Sequence, residues 1–130
     1  MLSQTVLLGI GGIDLSIPHA IDTGKHLGAM SPDYASALTV MLLPNTLLYS
    51  DYVQGKFVLP DKFGLLRELK LMVENMDVTS TCYFTSNHAS NYLPIKATLP
   101  DDKKQIVALL DNIINSKDES ILKPEYLRAL

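Results

Sequence analysis

Thr5 to Ile10 (TVLLGI) is a continuous apolar run closed by Gly11-Gly12. An unbroken run of this kind predicts a strand covered on both faces, as in a parallel sheet flanked by helices. Ser16 then suits a helix N-cap and Pro18 a first turn, and Ala20, Ile21, Leu27 and Met30 supply an apolar stripe up to Ser31-Pro32-Asp33. Ala37 to Leu43 (ALTVMLL) is a second apolar strand, cut off by Pro44-Asn45. Strand, helix and strand form a βαβ unit, whose crossover should be right-handed.

The segment PNTLLYSDYVQGKFVLP lacks clean periodicity, with a short helix expected over Thr46 to Val53 and an extended stretch over Gly55 to Leu59. Asp61 to Asn75 reads as a strong amphipathic helix. Phe63, Leu66, Leu69 and Val73 share one face, Leu65 and Met72 widen it, and Arg67, Glu68, Lys70 and Glu74 lie mostly opposite. Thr81 to Thr85 is β-branched and aromatic, the composition of a third strand. A long loop follows, and Asp101 to Asn115 forms the next helix, with Ile106, Leu109, Leu110 and Ile113 on one side. Pro124 to Leu130 is expected to add a final turn or two. The fold class is therefore α/β, one domain over residues 1–130, with about three parallel strands and flanking helices. So small a parallel sheet needs completion, either by self-association or as part of a larger α/β barrel.

Composition narrows the function classes. Hydrophobic residues make up 47% of the chain and charged residues 19%, enough for a real core. A net charge of −3 with interspersed signs gives no basic footprint for nucleic acid, and no apolar run is long enough to span a membrane. Cys82 is the one cysteine, which excludes an internal disulfide and fits a cytoplasmic location. A lone thiol also cannot hold an iron–sulfur cluster or a structural zinc ion.

Candidate chemistry is confined to two places. Gly9-Ile10-Gly11-Gly12 sits between a strand and a helix, where α/β folds place ligand-binding turns. Asp14 stands where a dinucleotide fingerprint needs its third glycine, and no Gly-Lys-Ser/Thr follows, so a plain tight turn is the simpler reading. The second place is Ser86-Asn87-His88-Ala89-Ser90-Asn91, just past the carboxyl end of a strand, backed by Pro94 and Pro100. Substrates sit at that end of parallel α/β folds. The competing reading is a loop whose Asn and Ser side chains satisfy its own backbone. No G-x-S-x-G elbow exists, so nucleophilic hydrolysis is disfavoured. His19 and His26, seven residues apart, are too widely spaced to chelate one metal comfortably and read as solvated or packing residues. Asp101 and Asp102 read as helix-start residues, and Tyr49, Tyr52 and Phe57 as packing for the irregular segment.

NHASNYLPIKATLPDDKKQIVALLD, with ILKPEYLRAL at the C-terminus, resembles the closing segment of a group of radical S-adenosylmethionine (SAM), Fe–S oxidoreductase-like proteins. Upstream, TVLLGIGG is similar to the fifth barrel strand of that family. ALTVMLLPNTLLYSDYVQGKFVLPD is similar to its sixth strand and sequel, with Asn45 and Leu47 in place of the usual Gly and Pro. The resemblance covers essentially the whole chain, and SNHASNYLP is its most specific block. It implies the C-terminal part of a partial TIM-like barrel, lining the SAM adenine and substrate side. Gly9, Ile10, Gly11, Leu42, Leu43 and Pro44 would then flank the adenosyl end through backbone and apolar contact. Ser86, Asn87, His88, Ser90 and Asn91 would face a small-molecule substrate. The C-x-x-x-C-x-x-C cluster motif is absent, so the resemblance implies SAM and [4Fe–4S] for an intact protein only. This chain would bind no metal and be inactive without an N-terminal barrel half. The alternative is a small non-catalytic α/β interaction module that dimerises through its sheet edges.

Overall fold

The computed structural model describes all 130 residues. The order of elements is β1 (Ser3–Leu8), α1 (Ser16–Met30), β2 (Tyr34–Thr39), α2 (Leu47–Val53), α3 (Lys62–Glu74), β3 (Cys82–Thr85), β4 (Lys96–Leu99) and α4 (Lys103–Ser116). Two 3₁₀ turns, Glu119–Ile121 and Glu125–Leu127, lie in the C-terminal tail. The four strands form one open sheet in the order β1-β2-β3-β4. β1, β2 and β3 run parallel, and β4 pairs antiparallel with β3. The fold is α/β with a mixed sheet.

The chain adds β2 beside β1 and β3 beside β2, always moving in one direction. Right-handed crossovers that advance in one direction deposit their helices on one face of a sheet. α1 and α3 therefore lie side by side, and α4 joins them against α3. Into this face point Ala35, Ala37, Phe84, Cys82, Ala97 and Leu99, all buried, to meet Leu27, Leu65, Leu69, Met72, Val73, Leu110 and Ile113. The opposite face is bare. It carries Ser3, Thr5, Leu7, Ser36, Thr85, Lys96 and Thr98, with Tyr34 and Tyr83 half-exposed and their rings 5.5 Å apart. The expectation of strands buried on both faces is thus corrected: each strand alternates, and only one face is covered.

The strand limits also move, for identifiable reasons. β1 ends at Leu8 and not Ile10 because Gly9 turns the chain with φ +85°. β2 begins at Tyr34 and stops at Thr39, since its neighbour has ended; the amide of Val40 donates to Leu8 O and no later residue finds a β1 partner. The apolar Met41-Leu42-Leu43 therefore runs beyond the sheet. Gly55 to Leu59 pairs with no strand, although Val58 O accepts from the amide of Ile13 at 2.8 Å. β4 arises inside the stretch read as loop, where Lys96-Ala97-Thr98-Leu99 alternates exposed or part-buried with buried positions. α3 follows its reading closely, with Asp61 as N-cap accepting from the amide of Gly64 at 2.7 Å. Asp102 instead turns its carboxylate back to the amide of Thr98 (2.8 Å), so α4 has no side-chain cap.

α1 approaches α3 closely because it presents glycine. A Cβ on Gly24 would sit 2.4 Å from Met72 O, and one on Gly28 would sit 2.7 Å from the amide nitrogen of Asp77. Gly24→Ala gains about 1 kcal/mol of helix propensity but forces the helices apart. The expected net effect is a loss of roughly 1–3 kcal/mol in urea denaturation, the range for overpacking.

Candidate functional site at the carboxyl ends of the parallel strands

Because β1, β2 and β3 are parallel, their carboxyl ends open on one side of the molecule. The fold therefore places Gly9–Gly12, the segment after β2 and the loop after β3 at the same end of the sheet. This is the end at which α/β folds build their sites.

The Gly9 turn is held from below. Glu68 of α3 has no exposed surface, although it was expected on the solvent side of its helix. Its Oε1 accepts from the amide of Gly9 at 3.0 Å, and its Oε2 accepts from the hydroxyl of Ser16 at 2.8 Å. No lysine or arginine pairs with it. Ser16 consequently serves as a donor to Glu68; the N-cap position falls to Leu15, which makes no side-chain cap bond. A Cβ on Gly9 would meet Leu65 Cδ2 at 2.9 Å and Val40 Cγ1 at 3.1 Å, so the glycine fits close against its neighbours in a positive-φ turn. Of the residues the resemblance places at an adenosyl group, the Gly9 amide is already engaged, and Gly11 packs against Leu15. Ile10 and Leu43 are exposed apolar side chains, Leu42 is half-buried and Pro44 is exposed.

The Ser86–Tyr92 loop is bonded mostly inward. Asn91, 4% exposed, donates through Nδ2 to Ala37 O (2.7 Å) and Ser86 O (2.9 Å). Its Oδ1 accepts from the hydroxyl of Thr39 at 2.7 Å. The Ser90 hydroxyl oxygen accepts from the amide of Thr39 at 3.0 Å, and the buried Ser86 hydroxyl donates to Leu93 O at 3.0 Å. The end of β2 thus finds its missing partners in this loop. His88 is half-buried, and its Nδ1 accepts the amide of Ser90 at 3.1 Å, with the Ser90 hydroxyl at 2.9 Å. A neutral ring accepting at Nδ1 carries its proton on Nε2. That N–H and the exposed Asn87 are the loop's free polar groups. His19 is elsewhere, with Nε2 3.1 Å from Leu7 O on the outer edge of β1.

A third segment, not anticipated from the sequence, completes the site. The C-terminal tail crosses the loop and inserts Arg128, whose side chain is only 3% exposed. Nε of Arg128 donates to Ser90 O at 2.8 Å, while Nη1 donates to the Tyr92 hydroxyl (2.6 Å) and to Glu125. Nη2 is buried without a partner. Tyr92 in turn donates to Glu125 Oε2 at 2.6 Å. Burial and that hydrogen bond push the Tyr92 hydroxyl up to about 12, against the opposing charge of Arg128. Burial alone would raise the Glu125 carboxyl, but the Tyr92 hydroxyl and the Arg128 charge hold it below its ordinary value.

The donor set does not suit an iron–sulfur cluster. Cys82 is buried in β3 with its thiol pushed up by burial and then by Asp33. No group of three or more His, Cys, Asp or Glu side chains is placed to hold a metal ion. No helix is long and apolar enough to cross a membrane.

Two outcomes are expected. Glu68→Ala leaves the Gly9 amide buried without an acceptor and should cost roughly 3 kcal/mol in chemical denaturation. Glu68→Gln keeps an acceptor for Gly9 and offers a donor to Ser16, and should cost about 1 kcal/mol or less. Tyr92 has a folded pKa above its unfolded value, so its contribution is fully present below pH 10 and is lost as pH rises through about 12. Arg128, Glu125 and Lys62, whose Nζ lies 5.7 Å from the ring, face it. In Tyr92→Phe this alkaline loss of thermal stability should shrink.

No family model matches the chain, and neither a curated protein nor a solved structure matches it.

Proposed function

We propose that this chain is the C-terminal barrel portion of a radical SAM, Fe–S oxidoreductase-like protein, lining the adenine and substrate side of the site and inactive by itself. The observation that carries the reading is the winding. β1, β2 and β3 advance in one direction with α1, α3 and α4 packed on one face, the arrangement of consecutive strands in a (β/α) barrel wall. In that reading the bare face, with Tyr34, Tyr83, Ser36 and Thr85, looks into the barrel, and the outer edge of β1 receives the preceding strand, from the N-terminal half. β4 doubles back beside β3 and ends the wall on the other side. The resemblance of SNHASNYLP and KPEYLRAL to the family's closing segment supports the same assignment. Residues of this chain would contribute apolar contact from Ile10 and Leu43 and a ring N–H from His88. The cluster would be held by cysteines outside it.

A second reading is favoured by one feature. β1 is an uncharged edge strand without proline, and natural proteins usually block such edges. In a self-sufficient interaction module that edge would pair with a second copy.

Anaerobic iron–sulfur reconstitution tests the leading reading, applied to the 130-residue chain and, as the proposal requires, to a longer product that adds an N-terminal barrel half. The longer product should take up a cluster and release 5′-deoxyadenosine from SAM, and the short chain should do neither. A stoichiometric [4Fe–4S] signal from the short chain overturns the proposal. In the longer protein His88→Ala should lower activity per folded molecule by about 100-fold or more, the low end of what a general acid–base group contributes. Activity unchanged per folded molecule would remove His88 from the site.

A further inference from the structure

The tail from Leu122 to Leu130 makes few of its bonds to the main helices or to the strands; its polar attachments gather on one loop. Backbone bonds run from the Lys123 amide to Tyr92 O at 2.7 Å and from the Ala129 amide to Ala89 O at 3.2 Å. Lys123 Nζ donates to Ala89 O at 3.3 Å. Arg128 reaches Ser90 O and the Tyr92 hydroxyl, and its guanidinium lies 4.1 Å from the centre of the Tyr92 ring. The loop, for its part, is bonded onward to Thr39 at the end of β2 through Ser90 and Asn91. Tail, loop and strand end form one chain of hydrogen bonds.

We propose that the tail is a strap that sets the conformation of the Ser86–Tyr92 loop, with Arg128 as its buckle. Arg128 is a positioning residue. Its planar fork is the only group that touches the loop backbone, the Tyr92 hydroxyl and Glu125 together, and a lysine ammonium cannot span those three acceptors. The strap can let go without unfolding the core, because Glu125, Tyr126, Leu127, Ala129 and Leu130 are exposed and only Leu122 belongs to the hydrophobic cluster. Nη2 adds a reason for reversibility: it is buried with no acceptor, so docking leaves one donor unsatisfied, a penalty that release removes. Release would free Ala89, Ser90 and Tyr92 from one side and loosen the backbone that holds the His88 ring in place. The consequence of this for ligand access rests on reading the loop as substrate-facing; the mechanical coupling does not.

Residue-resolved amide hydrogen exchange on the full chain tests the coupling separately from any activity. In Arg128→Ala the amides of Ser90, Asn91 and Thr39 should exchange about tenfold faster or more, with α1 amides unchanged. Arg128→Lys should fall between that variant and the wild type. Tyr92→Phe, which keeps the ring and removes the hydroxyl, should accelerate the same three amides by a smaller factor and carries the comparison if Arg128→Ala does not fold. The strap is overturned if Ser90, Asn91 and Thr39 keep wild-type rates while the tail amides of Lys123 and Ala129 accelerate. It is equally overturned if α1 amides accelerate by the same factor as the loop, which is general destabilisation. Faster loop exchange with activity of the longer protein unaltered would retain the strap and reject the substrate-facing role of the loop.

Discussion

The handedness of the strand crossovers governs this structure. Two connections of the same hand that step the same way across the sheet put their helices on one face and leave none for the opposite face. From that follow the pairing of α1 with α3 and the bare face with its tyrosine pair; α4 joins the row after the antiparallel β4, and the parallel run of the strands gathers the candidate segments at one end. It also fixes where close packing is needed. Neighbouring crossover helices lie against each other, and Gly24 and Gly28 are the positions at which α1 lets the end of α3 (at Met72) and the segment just after it (at Asp77) come within backbone contact.

Within that frame α3 does more than fill the core. Its apolar face supplies Leu65, Leu66, Leu69, Met72 and Val73, yet Glu68 stands among them with both carboxyl oxygens engaged by the β1–α1 connection. A buried carboxyl without a cation is costly to desolvate, and hydrogen bonds from fixed donors are what make it tolerable. The arrangement trades core hydrophobicity for a defined turn. Asn91 performs the same service on the other side, closing the end of β2 at Ala37 and Thr39. Two buried polar side chains thereby fix the two segments on either side of the strand ends.

Much of the fold was legible in the residues. Asp61 to Asn75 announced α3 through its apolar period and its Asp N-cap, and TVLLGI and TCYFT lie over β1 and β3 with small shifts. β2 slid towards its N-terminus because a strand extends only as far as its neighbour, which no local pattern records. β4 was hidden by Pro94 and Pro100, whose punctuation outweighed the alternation of Lys96-Ala97-Thr98-Leu99. Glu68 carried a usable signal: it lies three residues after Leu65 and four before Met72, on the stripe that both occupy, and its charge obscured that position. Arg128 carried none, since its partners Ser90 and Tyr92 are 38 and 36 residues away and the pairing depends on the tail folding back.

The loop that draws attention in the sequence shows why polar density alone is a poor guide to a site. A strand that outlasts its neighbour leaves backbone groups to satisfy, and side chains of Asn and Ser do so at short range. Ser90 and Asn91 are engaged in that way where β2 runs past the end of β3, and changing either would disturb β2 before it touched a ligand; Ser86 instead closes the loop on itself through Leu93 O. What distinguishes a group available for recognition is unengaged capacity beside solvent. By that measure the loop reduces to the Nε2–H of His88 and the side chain of exposed Asn87, held in place because their neighbours are fully bonded. The inward bonding and the outward-facing pair are therefore one design, in which the first supplies the rigidity that the second requires.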